Sequence, residues 1–551
     1  MALKISVFKE GSSVTKLVTG GGLTYILGML GGIFAWIFGI IFTRADIGLG
    51  QQAFGIFITG QAIIVPIVCF SWGINQAIQK YVSEYLVSDK NKAEIYARNG
   101  AISLIIFAAC ICIFCIILGI SLLKVNYIMA LLLFFIGPTI LVVSFRDGMI
   151  GNIAAVQRFD NIAIINSMSS LGLFLVGIPL ILFVIKPHPA EEILQLAPLT
   201  ILGLSFSYVI QITLSWYFGR KCLPFEMKKL YRGSKDRHII WKIVKYGFYC
   251  AIPALIISGT VLWIPALLMS IMSGTTTPGL YGVIIGYAMV MLTISIMGWP
   301  MISAVSEAHA MGNRQLIDDY FRNNFKSSFH LIALLLTIYI GLARPILEVI
   351  HGPEYAIGQI PFIILSIGVS LMALEFICCT VVIGVGEGKK ASFIVIATVL
   401  IEIFLTILFL YGFPPNAISF AAPCAILISS LVIFPFIPRL LKPYTSFRFP
   451  RGSILKGSIS IVIAVGFSYL IDSFIFSFSS FFGIIIGLIL LIIIYIFLML
   501  LLAGYEAEDF KLINDSLNAF NIKFLKRTVQ IGEKITHKSP FYKKPIKKFE
   551  G

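Results

Sequence analysis

The feature that most constrains this chain is a succession of long apolar runs separated by short polar joints. Fourteen can be marked, at about 18–43, 53–75, 100–122, 128–149, 162–185, 198–219, 246–271, 279–301, 328–350, 357–383, 391–412, 417–438, 454–476 and 481–504. Each is near the ~20 residues that a helix needs to cross a hydrocarbon core of roughly 30 Å. A soluble chain of 551 residues that is 58% hydrophobic and only 12% charged has too little interior to hide its apolar surface. The expected fold is an all-α polytopic membrane protein with about fourteen transmembrane helices. The first run is long enough to span, and no A-x-A-like cleavage site follows it, so it reads as a retained helix.

Charge tests the count independently. When successive joints are assigned to alternate sides, 38 of the 42 lysines and arginines share one side, and only Arg44, Lys124, Lys186 and Arg344 lie on the other. The positive-inside rule then places both termini in the cytoplasm of a multi-pass protein of the cell membrane. A net charge of +16 suits nucleic acid in principle, but these cations sit in short joints where membrane orientation explains them. No nucleic-acid partner is expected. The outer joints "SGTTTPG", "YGFPPN" and "IDSFIFSFSS" leave no room for an extracellular domain. Eight of the nine cysteines lie within apolar runs, as small buried hydrophobes do. There is no P-loop, the six histidines are scattered, and no long polar domain exists to carry an active site. The chain reads as a transporter rather than an enzyme. It needs no cofactor beyond a Na⁺ or H⁺ that drives it.

The two halves resemble each other. "KLVTGGGLTYILGMLGG" from Lys16 and "KIVKYGFYCAIPALIIS" from Lys242 open them, and the helices that follow start with "AFGIFITG" at 53–60 and "LYGVIIGY" at 280–287. The offset is about 225 residues. A repeat of six helices, an even number, gives parallel copies related by a pseudo-two-fold axis along the membrane normal, with a cavity between them, as in alternating-access transporters. The expected organisation is a first lobe at 1–220, a basic linker at 221–245, a second lobe at 246–441, two further helices at 442–504 and a basic tail at 505–551.

"TRADIGLGQQAFGIF", "GNIAAVQRFDNIAIIN", "HGPEYAIGQIPFIIL" and "GVGEGKKA", in this order and at these places among the spans, resemble the polysaccharide-unit flippases. That family belongs to the multidrug/oligosaccharidyl-lipid/polysaccharide exporter superfamily, beside lipid II flippases and multidrug-and-toxin extruders. The resemblance covers nearly the whole chain. It implies a polyprenyl-linked oligosaccharide as substrate, with membrane lipids and glycan-assembly enzymes as partners.

Such a substrate asks for a hydrophilic cavity, a cation for the phosphate, and hydroxyl and aromatic groups for the sugar. Arginine suits phosphate because its planar fork donates in pairs. Arg44 ends the first helix, and the resemblance implies cavity arginines on the first two helices. The alternatives for Arg44 are snorkelling to the outer interface or closing an outer gate with Asp46. Arg146 and Asp147, with Arg158 and Asp160, are placed at the cytoplasmic ends of the fourth and fifth helices. They read either as topogenic charges paired with neighbouring aspartates or as a gating and substrate-binding group. Arg344 and Glu348 are spaced for an i,i+4 ion pair, and Arg344 is also a candidate second arm of an outer phosphate site. Glu375 and Glu402 lie well inside the tenth and eleventh spans, where a charge costs several kcal/mol unless it pairs, faces water or holds a proton. Either they bind the coupling ion, or they are protonated carboxyls bonded between helices. Six prolines lie within the spans and glycines crowd the first one, which fits either bending or tight packing. The tail from Glu506 to Lys548 alternates cations with Phe510, Ile513, Leu517, Phe520, Phe524 and Leu525, the pattern of an amphipathic helix on anionic headgroups. Two other functions use the same features: extrusion of organic cations, which a basic cavity would repel, and a membrane-embedded polyprenyl-dependent glycosyltransferase or ligase, for which the outer joints are too short.

Overall fold

Several apolar runs begin on a residue that caps its own helix. The Asp89 carboxylate accepts from the backbone N–H groups of Asn91 and Lys92 at 3.0 and 3.1 Å. Asn126 and Asn313 accept from Met129 and Leu316, both at 3.0 Å. Each satisfies donors that the first turn of a helix leaves open, so the chain reverses and re-enters without exposing bare backbone.

The computed structural model describes residues 27–28, 31–44, 46–156, 158–232, 235–257, 259–273, 276–446, 449–475, 480–507, 509–511, 513–514 and 526–542. Their helices are α1 (Gly31–Thr43), α2 (Gly50–Leu86), α3 (Lys90–Leu122), α4 (Tyr127–Ala155), α5 (Phe159–Ser167), α6 (Leu173–Ile185), α7 (Ala190–Cys222), α8 (Arg237–Ile257) and α9 (Thr260–Met272). There follow α10 (Thr277–Ser306), α11 (Arg314–Gly341), α12 (Ala343–His351), α13 (Pro353–Gly384), α14 (Gly388–Gly412), α15 (Ala417–Leu441), α16 (Arg451–Ile475), α17 (Phe482–Leu501) and α18 (Lys526–Lys538). By length and apolarity ten of these cross a membrane, or eleven when α11 and α12, bent by 72°, count as one span. The expected fourteen is therefore met only in part. The first, fifth and seventh apolar segments hold the shorter helices α1, α6 and α9.

The seventh segment shows why one of them is short. Gly259 has φ +72°, a left-handed conformation that ends α8 before α9 begins, and a Cβ there would meet the Met289 sulfur at 2.4 Å. The prolines Pro253 and Pro265 sit inside α8 and α9, away from that break. Of the glycines expected in the first span, Gly20, Gly21 and Gly22 lie outside the described residues. Gly31 lies against the turn after α5, where a Cβ would come within 2.9 Å of the Asn166 carbonyl.

Packing sorts residues as lipid demands. Large apolar side chains such as Phe114, Ile117, Phe404 and Ile493 are exposed on the helix surfaces, while buried hydroxyls return hydrogen bonds to their own helix, as Thr139 does to Phe135 and Ser366 to Phe362. In the first half α2 and α4 pack on each other and on α3, with α7 against α4; in the second half α13 gathers α10, α11 and α15. The α2 helix joins the halves, running along α8, α9 and α10. Gly73 makes that approach close: a Cβ there would stand 2.3 Å from the Gly247 carbonyl of α8.

Both basic segments are docked. In the 221–245 stretch Tyr231 stacks on Phe145 with ring centroids 4.6 Å apart, and the Asp236 N–H donates to Asn99. Beyond α17, the Lys326 ammonium, midway along α11, is buried between Glu506 at 2.9 Å and Asp509 at 2.6 Å. Burial pushes the Glu506 carboxyl up, but Lys326 and Arg322 outweigh it and hold it below the usual carboxylate range. The tail helix α18 lies against α17, and the Ser539 hydroxyl donates to the Leu501 carbonyl. Leu517, Phe520, Phe524 and Leu525 of the expected tail pattern lie outside the described residues.

Candidate functional site

One charged group in the bundle is built into its interior. Arg146 and Asp147 of α4 are 8% and 1% exposed, and α4 continues nine residues past Arg146 to Ala155. The pair expected at the helix end is present and buried, because the helix runs on beyond the end of its apolar stretch. The Arg146 guanidinium donates to Asp147 Oδ1 from Nε at 2.9 Å and Nη2 at 2.6 Å, and from Nη1 to Gln211 Oε1 of α7 at 2.8 Å. The Tyr208 ring lies under it at 4.9 Å. Gln211 in turn donates to the Ile165 carbonyl of α5, and Asn75 of α2 donates to the Asp147 carbonyl. Arg146, Asp147, Gln211 and Asn75 together thus link four helices.

The same region holds more polar atoms than it satisfies. Asn75 Oδ1, Asn152 Oδ1, Asp147 Oδ2, Gln79 Nε2 and both polar atoms of Gln76 are buried with no hydrogen-bond partner among the described residues. Orphans of this kind cost on the order of 1–3 kcal/mol each unless something polar visits them. Next to them α2 meets α10: Trp299 Nε1 donates to Gln79 Oε1 at 3.0 Å, and the Trp72 and Trp299 rings stack at 5.8 Å and 24°. Phe159 of α5 packs edge-on against Trp299 at 5.9 Å. A narrow cleft of about 10 Å³, roughly the room one water needs, lies beside them, lined by Gln79, Lys80, Ser83, Ile302, Ser306 and residues of α13.

These amides and tryptophans are absent from the sequence-based candidates, although the repeat carries their signal. Pairing Gly55 of "AFGIF" with Gly282 of "LYGVI" and reading onward at that register sets Trp72 opposite Trp299. At that register of the two similar sequence stretches, the rings in contact take the same place.

Toward the other end of the bundle a second set of contacts joins the halves. Trp36 of α1 donates to the Tyr287 hydroxyl of α10 at 3.0 Å, Tyr287 bonds His351 Nε2 at 3.0 Å, and His351 Nδ1 meets the Thr43 hydroxyl at 3.1 Å. Just beyond lie the sequence-predicted charges of that side. Arg44 donates twice to Asp46, at 3.0 and 2.9 Å, and these bonds hold the Asp46 carboxyl below its usual range and raise Arg44. Lys186 donates to the Asp46 carbonyl. Arg344 reaches Glu348 at 2.8 Å, the expected i,i+4 pair. Each arginine is matched by its own carboxylate and half-exposed. Arg158 and Asp160 form a pair at 2.8 Å with Arg158 half-exposed, as topogenic charges do.

Glu375 and Glu402, on α13 and α14, are each 1% exposed. Glu375 accepts from Thr398 of α14 at 2.9 Å, while neither oxygen of Glu402 has a partner among the described residues. Tyr281 of α10, with its hydroxyl likewise unsatisfied, lies within electrostatic range of Glu402, as does Glu375. The carboxylates form a second polar focus, apart from Arg146, in the other half of the chain. Among the described residues no three His, Cys, Asp or Glu side chains converge as a metal site.

The profile of the polysaccharide biosynthesis protein family matches residues 17–306, more than half of the chain. No curated protein matches by sequence. Among solved structures, the chain is similar to a multidrug resistance MATE family transporter of the MOP superfamily in its outward-facing conformation, with a TM-score of 0.60 at 12% identity over 80% of this chain and 98% of that one. An inward-facing transporter of the same description scores 0.58 at 13% identity over 77% and 98%. MATE in the straight conformation scores 0.56 at 14% identity over 79% and 99%. Identities this low establish a shared fold and nothing finer.

Proposed function

The chain belongs to the polysaccharide biosynthesis protein family, and on that premise we propose that it is an alternating-access flippase, carrying a polyprenyl-(di)phosphate-linked oligosaccharide from the cytoplasmic to the outer leaflet of the cell membrane, driven by Na⁺ or H⁺. It spans the membrane fourteen times as two six-helix lobes plus two further helices, with both termini in the cytoplasm. The observation that carries this reading is the polar interior around Arg146, where a buried guanidinium stands among amide and carboxylate atoms that lack partners. A passage for a phosphate and a glycan needs such groups, and a bundle that only packs has no use for them.

The cycle follows from the two sets of contacts between the lobes. The Trp36–Tyr287–His351–Thr43 chain closes the outer side, and the Gly73–Gly247 approach with the Gln79–Trp299 bond closes the inner side. Opening one set while the other holds exposes the interior to one leaflet at a time. Arg146 meets the substrate near the inner side, and Arg44 and Arg344 receive its phosphate near the outer side once their carboxylates let go. Asp46 and Asp147 are the matching gates, and Glu375 and Glu402 bind the driving ion.

The fold is shared with multidrug transporters, which offers organic-cation extrusion as a second reading. The interior Arg146 and the Lys80 of the inner cleft disfavour a cationic passenger. The test uses full-length protein in phospholipid vesicles, with a polyprenyl-diphosphate oligosaccharide labelled on its glycan and an impermeant quencher outside. The expected result is quenching of the inner-leaflet pool beyond that in protein-free vesicles. Equal quenching in both, or movement of a fluorescent organic cation instead, overturns the reading. In the same assay Arg44→Ala is expected to slow translocation about tenfold, the size of one lost charge-assisted contact, with Arg44→Lys in between. Full activity of the Ala variant removes Arg44 from the mechanism.

A further inference from the structure

We propose that Trp72 and Trp299 form a sugar clasp: the two rings part to hold one pyranose ring of the passenger between their faces, while the Gln76 and Gln79 amides bond its hydroxyls. The inference rests on the glycan-bearing substrate proposed above and deepens it by naming the groups that meet the glycan.

Position is the first support. Trp72 and Trp299 occupy the same register in the two copies of the repeat, and they touch. A residue that touches its own counterpart lies on the axis relating the copies. That axis is the line along which the lobes separate, so any opening of the inner side pulls these two rings apart. Chemistry is the second. A pyranose presents apolar C–H faces and a rim of hydroxyls, and sites for such molecules combine aromatic walls with a few placed polar groups. Trp72, Gln76 and Gln79 fall on one face of α2 by helical spacing. Gln76 has both polar atoms unsatisfied, and Gln79 uses its oxygen on Trp299 and leaves its nitrogen free. These side chains are 3% and 1% exposed, so water does not meet their need from the surface. An amide donates and accepts at once, as a sugar hydroxyl does, and a bare phosphate would leave the amide oxygens unanswered. Access is the third. The cleft lined by Gln79, Lys80, Ser83 and Ser306 shares Gln79 with the clasp, and Gln79 is bonded to Trp299.

In the closed state the rings are in contact and leave no room for a guest. The Gln79–Trp299 bond is then the latch that a sugar hydroxyl replaces as it enters, so the glycan itself favours the parted rings.

The test uses the full chain in nanodiscs of plain phospholipid, with no sugar-headed detergent, and saturation-transfer NMR. The probes are a panel of free hexoses, N-acetylhexosamines and hexuronates. At least one sugar is expected to take up saturation from the wild type. Trp72→Leu and Trp299→Leu should reduce that signal severalfold, and Trp299→Phe and the distant Trp241→Phe should keep it. Gln76→Leu covers the case in which the tryptophan variants fail to fold. Removing two orphaned buried atoms should raise thermal stability while weakening sugar contact, a combination that a merely structural glutamine does not produce. If no sugar contacts the wild type, or if stable Leu variants bind as the wild type does, the clasp is overturned. The vesicle assay separates the two readings. Sugar contact without translocation of the labelled carrier sinks the flippase and leaves the clasp standing, whereas translocation unchanged in Trp299→Leu does the reverse.

Discussion

Arg146→Met is expected to destabilise the protein by about 3–5 kcal/mol, because it leaves the Asp147 carboxylate buried and uncompensated. The cost arises from geometry rather than from charge count. Asp147 is 1% exposed, its Oδ1 depends on two bonds from Arg146, and its Oδ2 has no partner among the described residues. The same substitution strands Gln211 Oε1 and removes the cation over Tyr208, loosening α7 from α4. Arg146→Lys keeps the charge but not the fork that serves two acceptors, so it should recover only part of the loss. Replacing both partners, as Arg146→Met with Asp147→Leu, removes the stranded charge and should restore most of the thermal stability. That double variant divides a structural pair from a working one. If the pair only braces four helices, its rescue restores translocation as well. If Arg146 meets the passenger's phosphate, the rescued protein stays folded and inactive. Thermal unfolding of the purified variants, read beside the vesicle assay, gives both quantities. A single Arg146→Met variant as stable as the wild type would show that the buried carboxylate has another source of compensation.

Much of this architecture is legible in hydropathy because lipid imposes a single rule on every segment facing it. The limit of that legibility is local. Apolar runs were expected to end at about 75 and 149 and one to begin at about 100, yet α2 reaches Leu86, α4 reaches Ala155 and α3 begins at Lys90. The extra turns carry Gln76, Gln79, Asn99 and Asn152, and all four are buried. A hydropathy window treats polar residues as the end of a span. It has no means of knowing that these face the protein rather than water, so the richest part of the interior was assigned to joints. The carboxylates Glu375 and Glu402 escaped this error because apolar residues flank them on both sides. Arg44 and Arg344 are held by Asp46 and Glu348, partners that their spacing in the sequence already offered. The tryptophan pair needed the repeat to be followed some seventeen residues past its glycine anchor, through a stretch in which little else matches.

Glu375→Gln combined with Glu402→Gln is expected to abolish the dependence of translocation on an imposed H⁺ or Na⁺ gradient, lowering gradient-driven flux roughly a hundredfold, the kinetic equivalent of the ~2.5–3.5 kcal/mol that placing one charge at mid-membrane costs. The two carboxyls lie on adjacent helices, and Thr398, which donates to Glu375, sits one turn before Glu402 on α14. Two carboxylates in one dry site cannot both stay charged without a cation, so the site holds either a proton or a bound ion in each state of the cycle. Losing that ion must move something, and the path is short. Glu402 lies within electrostatic range of Tyr281 of α10, and α10 carries Tyr287 of one set of contacts between the halves and Trp299 of the other. A charge appearing beside Tyr281 therefore acts on the helix that helps close both sides. Glutamine matches glutamate in shape and cannot change charge, so the double variant should fold and should still let passenger equilibrate between leaflets down its own gradient. Its signature is a loss of uphill movement with downhill movement retained. Separate H⁺ and Na⁺ gradients across wild-type vesicles identify the ion. Uphill translocation that survives in the double variant, with its ion dependence intact, places coupling elsewhere and reduces the pair to a protonated brace between α13 and α14.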